Sequence, residues 1–177
     1  MKKIICLVSG LVAIVLVQSC QSNKRANNYN DKASADDSVS LFLKNSTEES
    51  LMAVKASGLA ISNSKNQRVI QFAKTMIDDH TRLTDELKQL QADDSVKVAD
   101  TLNAIHQQII ANLEQKKAAE FDKAYLEIIV AQDGQEMNHF KAATQAKSLN
   151  VVEFAKKGIS LLQAHLESAK TISGNLK

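Results

Sequence analysis

Residues 69–90 read VIQFAKTMIDDHTRLTDELKQL, and this stretch decides the fold. Val69, Ala73, Met76, His80, Leu83, Leu87 and Leu90 follow one another at spacings that alternate four and three without a slip. That alternation sets the side chains on one narrow stripe of an α-helix, a seam that faces other helices. His80 is the ionisable member of the stripe, so its imidazole points between helices.

The rest of the chain repeats the theme. Val151, Phe154, Gly158, Leu161, His165, Ser168 and Ile172 form a second seam with a histidine in it. Asn150 and Glu153 have capping-box spacing at its start, and Gly174 suits its end. The segment 119–147 is helical with a polar middle, carrying Phe121, Tyr125, Ile128, Ile129, Phe140 and Ala143. Residues 39–62 supply another long helix, with Phe42, Leu43, Val54 and Ile61 as anchors. The connection 92–117 holds a short amphipathic piece marked by Leu102, Ile105, Ile109 and Leu113. Val69–Lys74 and Val151–Lys156 match in residue type, each opening the second helix of a pair. Two helix pairs joined by a long crossover with a short helix give an all-α, ferritin-like four-helix bundle.

Composition agrees. The 177 residues include no proline and five glycines, where average usage gives roughly nine and twelve. A turn-dense β-sandwich is thereby disfavoured. Lys and Arg number 22 against 20 Asp and Glu, too even a balance for a nucleic-acid-binding surface.

The first residues read as an address. Met1-Lys2-Lys3 precedes a mostly apolar run, Ile4–Val17, which is too short for a bilayer core of about 30 Å and suits an export signal. Leu16-Val17-Gln18-Ser19-Cys20 resembles a bacterial lipobox. The resemblance implies a signal peptide at 1–19, cleaved before Cys20, and fatty acylation of that cysteine, hence a membrane anchor. Residues 20–38 form the lipidated cysteine and a flexible tether, since 21–38 contains no Ile, Leu, Val, Phe or Met. The bundle domain is then 39–177. Without Lys2 and Lys3 the remaining chain carries 20 basic and 20 acidic residues. The residues after Cys20 lack the aspartate associated with inner-membrane retention, which implies the outer membrane, facing the periplasm.

Three motifs carry a family likeness. Phe72-Ala73-x-x-Met76-x-x-Asp79-His80, Phe121-Asp122-x-Ala124-Tyr125 and His165-Leu166-Glu167-x-Ala169 resemble, in order and approximate spacing, a bacterial family of exported helical proteins. Its members are described as outer membrane proteins or domains of unknown function and are placed among ferritin-like folds. The resemblance covers about 39–174 and implies fold and location, without an established activity. Members of that family often carry an acidic residue near the positions of Ala53 and Lys55, and a histidine near Asp133. This chain has neither.

A ferritin-like metal centre takes carboxylates and Glu-x-x-His pairs from facing helices. Glu136-Met137-Asn138-His139 has that spacing, which sets both groups on one helix side. His80, His165, Glu136 and His139 form the candidate ligand set, with Asp133 behind them. Ile77 and Leu162 stand where the partner carboxylates of His80 and His165 would fall, so a complete two-metal site is not expected. A single Fe²⁺ or Zn²⁺ suits the donors. The competing reading makes the histidines neutral core residues, hydrogen-bonded to Glu136 or Asp133 in a register-fixing polar layer. His106 reads as a surface histidine, and Gly58, Gly134 and Gly158 as points of close helix approach. No phosphate loop, cysteine nucleophile or Ser/His/Asp arrangement is visible. The sequence therefore favours a non-enzymatic envelope protein that meets another envelope component, with a metal-binding bundle as the alternative.

Overall fold

A computed structural model describes residues 22–176 except 94, 95 and 99, with side chains described from Asp37 onward. The export signal and Cys20 lie outside the described residues. The chain divides into two compact units, Met1–Ala33 and Ser34–Lys177. Within the first, residues 22–33 are helical; the second is the bundle.

The five helices are α1 (Ser22–Asn63), α2 (Gln67–Asp93), α3 (Ala104–Glu114), α4 (Ala118–Ala143) and α5 (Leu149–Ser173). No strand occurs among the described residues. The all-α bundle expected from the seams is what forms.

Side-chain pairs give the helix directions. Along α1, Phe42 meets Phe140 while Ser57 bonds Tyr125, so α1 and α4 are antiparallel. Along α5, Phe154 meets Phe140 and His165 approaches Asp133, so α5 also opposes α4. Asp79 bonds His165 while Arg68 reaches Asn175, which makes α2 and α5 antiparallel. Helices α2 and α4 therefore run in the same direction. A parallel neighbour requires the chain to return the length of the bundle between Asp93 and Ala118, and α3 lies on that return. This is the long crossover of the ferritin-like form.

The core has two apolar halves. One gathers Met52, Ala56, Val69, Phe72, Met76, Phe121, Tyr125 and Ile129. The other gathers Phe42, Leu43, Leu83, Leu87, Phe140, Phe154 and Leu162. Between them each long helix places polar side chains: Glu49 and Ser50, His80, Asp133 and Glu136, and His165, all buried. Thus every long helix is apolar, then polar, then apolar.

All seven members of the α2 seam are buried, with Phe72 beside them. In α5 the stripe drifts: Leu162 and Ala169 are buried instead of Leu161 and Ser168, as a 3.6-residue turn departs from a strict heptad. The α5 N-cap is Ser148, without a side-chain cap bond, so Asn150 and Glu153 do not form a capping box. Val69, Phe72 and Ala73 are buried, as are Val151, Phe154 and Ala155, so the matched blocks pack alike.

The first helix departs most from expectation. It begins at Ser22, so the stretch expected as a coil-like tether is helical in backbone there. Ala26, Ala33 and Ala35, with neither Pro nor Gly nearby, leave nothing to stop a helix propagated from the packed part. The first buried side chain among the described residues is Val39. Further on, Val54 is only half-buried and Ile61 is exposed. The seam is instead Leu43, Ser46, Ser50, Ala53, Ser57, Ala60 and Ser64, all buried, at spacings alternating three and four. Small side chains let α1 approach closely, and Ser57 bonds across to Tyr125 of α4 at 2.8 Å.

In the crossover, Leu102 and Leu113 are buried, whereas Ile105 is exposed. Asn103 caps α3 by accepting from the His106 amide. His106 is tucked against α1, not free on the surface: its Nδ1 lies 3.0 Å from Glu48 Oε1, which also accepts from the Asn103 amide at 2.6 Å. Gly158 is a true close approach, since a Cβ there would sit 2.0 Å from the Phe140 ring. Gly58 and Gly134 are not: nothing lies within 4 Å of a Cβ at either.

Candidate metal centre

Asp133 and Glu136 stand three residues apart on α4, so both carboxyls leave the same helix side. Helix α2 brings His80 to face them. One ligand atom from each of His80, Asp133 and Glu136 lies within 4.8 Å of the others, and all three residues are buried.

The hydrogen-bond account of this layer does not close. His80 Nδ1 has one long contact, 3.4 Å to Ser50 Oγ, which leaves Nε2 buried without a partner. Asp133 Oδ2 and Glu136 Oε1 are likewise buried without partners. Orphaned interior polar atoms are costly and uncommon. Three on one small volume describe a donor set that lacks its acceptor. The bonds from His80 or His165 to Glu136 or Asp133, which a purely structural polar layer would use, are not made.

His165 completes the surroundings. Its Nε2 lies 2.9 Å from Asp79 Oδ2, and Asp79 is also paired with Arg82. A carboxylate that accepts from one ring nitrogen fixes the tautomer and leaves the other nitrogen as an acceptor. That other atom, Nδ1, has no hydrogen-bond partner and lies 3.9 Å from Asp133 Oδ2. The two imidazoles are adjacent, their centroids 5.4 Å apart.

Burial also sets the protonation. It pushes Asp133 up to about 8, with the Glu49 carboxylate adding to the rise. It raises Glu136 well above the usual carboxylate range, with Glu49 and Asp133 adding. Burial lowers His80 to about 3, and His165 contributes in the same direction. At neutral pH the layer thus holds a neutral His80 imidazole and a protonated Asp133, and burial favours a proton on Glu136 as well. A divalent cation would take the place of those protons and turn each orphaned atom into a ligand.

Of the five residues expected from sequence, His80, Glu136 and Asp133 converge, His165 adjoins them, and His139 does not join. Asp133 stands in front, not behind. His139 sits on the flank, its Nδ1 3.0 Å from Glu49 Oε1. Sequence reading left Glu49 without a placed role, and it is buried, so the first helix does contribute a carboxylate despite Ala53 and Lys55. Its signal was its spacing: Phe42, Glu49 and Ala56 recur every seven residues and are all buried. Asp79 and Ser50, which orient the two histidines, were also missed as partners.

Fold and site together define a helical bundle with an ionisable interior layer. Residues 24–172 match the domain of unknown function DUF4142, and the chain belongs to that family. Among solved structures it is similar to the crystal structure of a DUF305 fragment from Deinococcus radiodurans, with a TM-score of 0.72 at 10% identity. That similarity covers 78% of this chain and 97% of the other, and at such identity it shows the fold alone. No curated protein matches.

Proposed function

We propose that this chain is a cell-envelope protein that binds one divalent transition-metal ion, Fe²⁺ or Zn²⁺ in class, inside its helical bundle. The observation that carries this reading is the convergence of His80, Asp133 and Glu136, with an orphaned buried atom on each. Imidazole nitrogen and carboxylate oxygen suit either metal, and the Asp79–His165 pair supplies the outer support common to metal histidines. What the residues of this layer do is hold, orient and desolvate the ion. The lipobox-like run ending at Cys20 supports acyl anchoring, and the residues after it support the periplasmic face of the outer membrane.

Elemental analysis of the purified chain after anaerobic exposure to Fe²⁺ or Zn²⁺ tests the metal reading. One ion per chain, lost in a His80→Ala, His165→Ala double variant, is the expected result. Wild-type protein that retains no metal after gel filtration rejects it.

A second reading, a non-enzymatic contact with another envelope protein, draws on Leu41, which is exposed beside a cavity of about 350 Å³ lined by Val39, Phe42 and Val151. Crosslinking from Leu41 in the native envelope should then capture one recurrent partner. Neighbours captured only in proportion to their abundance reject it.

A further inference from the structure

We infer that Glu49 and His139 form a second, outer cation station through which a divalent ion passes between solvent and the interior layer. The inference rests on the metal reading above and adds a separate site to it.

His139 occupies a boundary. Its side chain is 40% exposed and that of Glu49 only 8%. The imidazole lines the cavity of about 350 Å³ between the middle of α1 and the end of α4, together with Ser38, Phe42, Asn45 and Ala142. On α4 it stands three residues beyond Glu136, close to one helical turn. Glu49 lies on the interior side and is near enough to Asp133 and Glu136 to raise the pKa of both. The order from solvent inward is therefore cavity, His139, Glu49, then the buried acids and His80.

The geometry of the pair also suits two ligands of one ion. His139 Nδ1 and Glu49 Oε1 are 3.0 Å apart, yet Nδ1 makes no aligned hydrogen bond. Two donors each bound to one ion at about 2.1 Å stand about 3.0 Å apart at the right angle of an octahedral site. The second carboxylate oxygen, Glu49 Oε2, is buried with no partner of its own. A two-residue site completed by water binds loosely, as a point of transit must. Glu49 spans the station and the interior because its two oxygens are unequal: one meets His139, and the other is left for a cation.

Co²⁺ is a suitable probe, since its visible absorption reports ligand number. Titration of the chelator-treated full chain should show a tight phase of one ion and a weaker second phase. In His139→Ala the weak phase should vanish, while the tight phase keeps its stoichiometry and fills about tenfold more slowly in stopped flow; in Glu49→Gln the weak phase should vanish too. In His80→Ala the tight phase should vanish and the weak one persist. Uptake at the wild-type rate with an unchanged titration in both outer variants overturns the station and leaves the interior site standing. Loss of both phases in His80→Ala overturns an independent station. Absence of any Co²⁺ binding by wild type overturns both readings. Should Glu49→Gln lose helicity, His139→Ala carries the test, because its side chain is partly in solvent.

Discussion

Asp133 and His80 pull the pH dependence of the fold in opposite directions. Between its ordinary value of 3.8 and about 8, native Asp133 keeps a proton that the unfolded chain has released, so stability falls as pH rises through that window. Glu136 acts in the same sense. His80 stays neutral in the fold down to about 3, while the unfolded chain protonates it below 6.5. Its contribution is present above 6.5 and is lost as pH falls below it. Above pH 6.5 only the acids remain to act. Metal-free protein should therefore lose stability from pH 6.5 to 8, by about 1.4 kcal/mol per pH unit for each acid still protonated. Thermal melts in chelator check this, and Asp133→Asn should flatten the slope. A midpoint that climbs with pH over this range contradicts the account. Saturating metal should reverse the trend, because deprotonated ligands bind the ion.

At the scale of the element, two glycines on facing helices should respond oppositely to the same substitution. Gly158→Ala drives a methyl into the Phe140 ring, and overpacking of this kind costs about 1–3 kcal/mol. Gly134→Ala meets open space and should gain up to about 1 kcal/mol from helix propensity. Denaturant midpoints of the two variants separate these cases. A second element-scale expectation concerns Glu48, which ties α1 to the crossover through Asn103 and His106. Glu48→Ala should speed hydrogen exchange at Asn103 and the first turn of α3 while leaving α4 protected; unchanged exchange removes the tie.

Legibility in the sequence differed by element for physical reasons. The α2 seam was readable because all but His80 of its members are apolar, so periodicity and burial coincide. The α1 seam was hidden, since Ser46, Ser50 and Ser57 are small polar residues buried by close approach, which a hydrophobic pattern does not register. His80, Glu136 and Asp133 were found because histidine and carboxylates stand out against an apolar stripe or share a spacing of three. Glu49 and Asp79 were not, because which of several acids turns inward depends on helix rotation, and rotation is fixed by neighbours distant in sequence.

For the whole molecule, the proposed attachment can be tested apart from the fold. No helix among the described residues is long and apolar enough to cross a membrane, and the attachment proposed above rests on the lipobox-like run ending at Cys20. Radioactive palmitate should label the wild-type chain and not Cys20→Ala; a labelled variant rejects the anchor.

The crossover has a bearing on how the molecule comes together. Of the three converging groups, His80 belongs to the hairpin before the crossover, whereas Asp133 and Glu136 belong to the hairpin after it. Neighbouring helices find each other sooner than distant ones, because closing a short loop costs less entropy. On that ground each hairpin should gather first around its own apolar contacts, and neither owns the interior layer. The layer comes into being only when the halves dock, so an ion held there acts as a clasp between them, and its presence reports that assembly is finished.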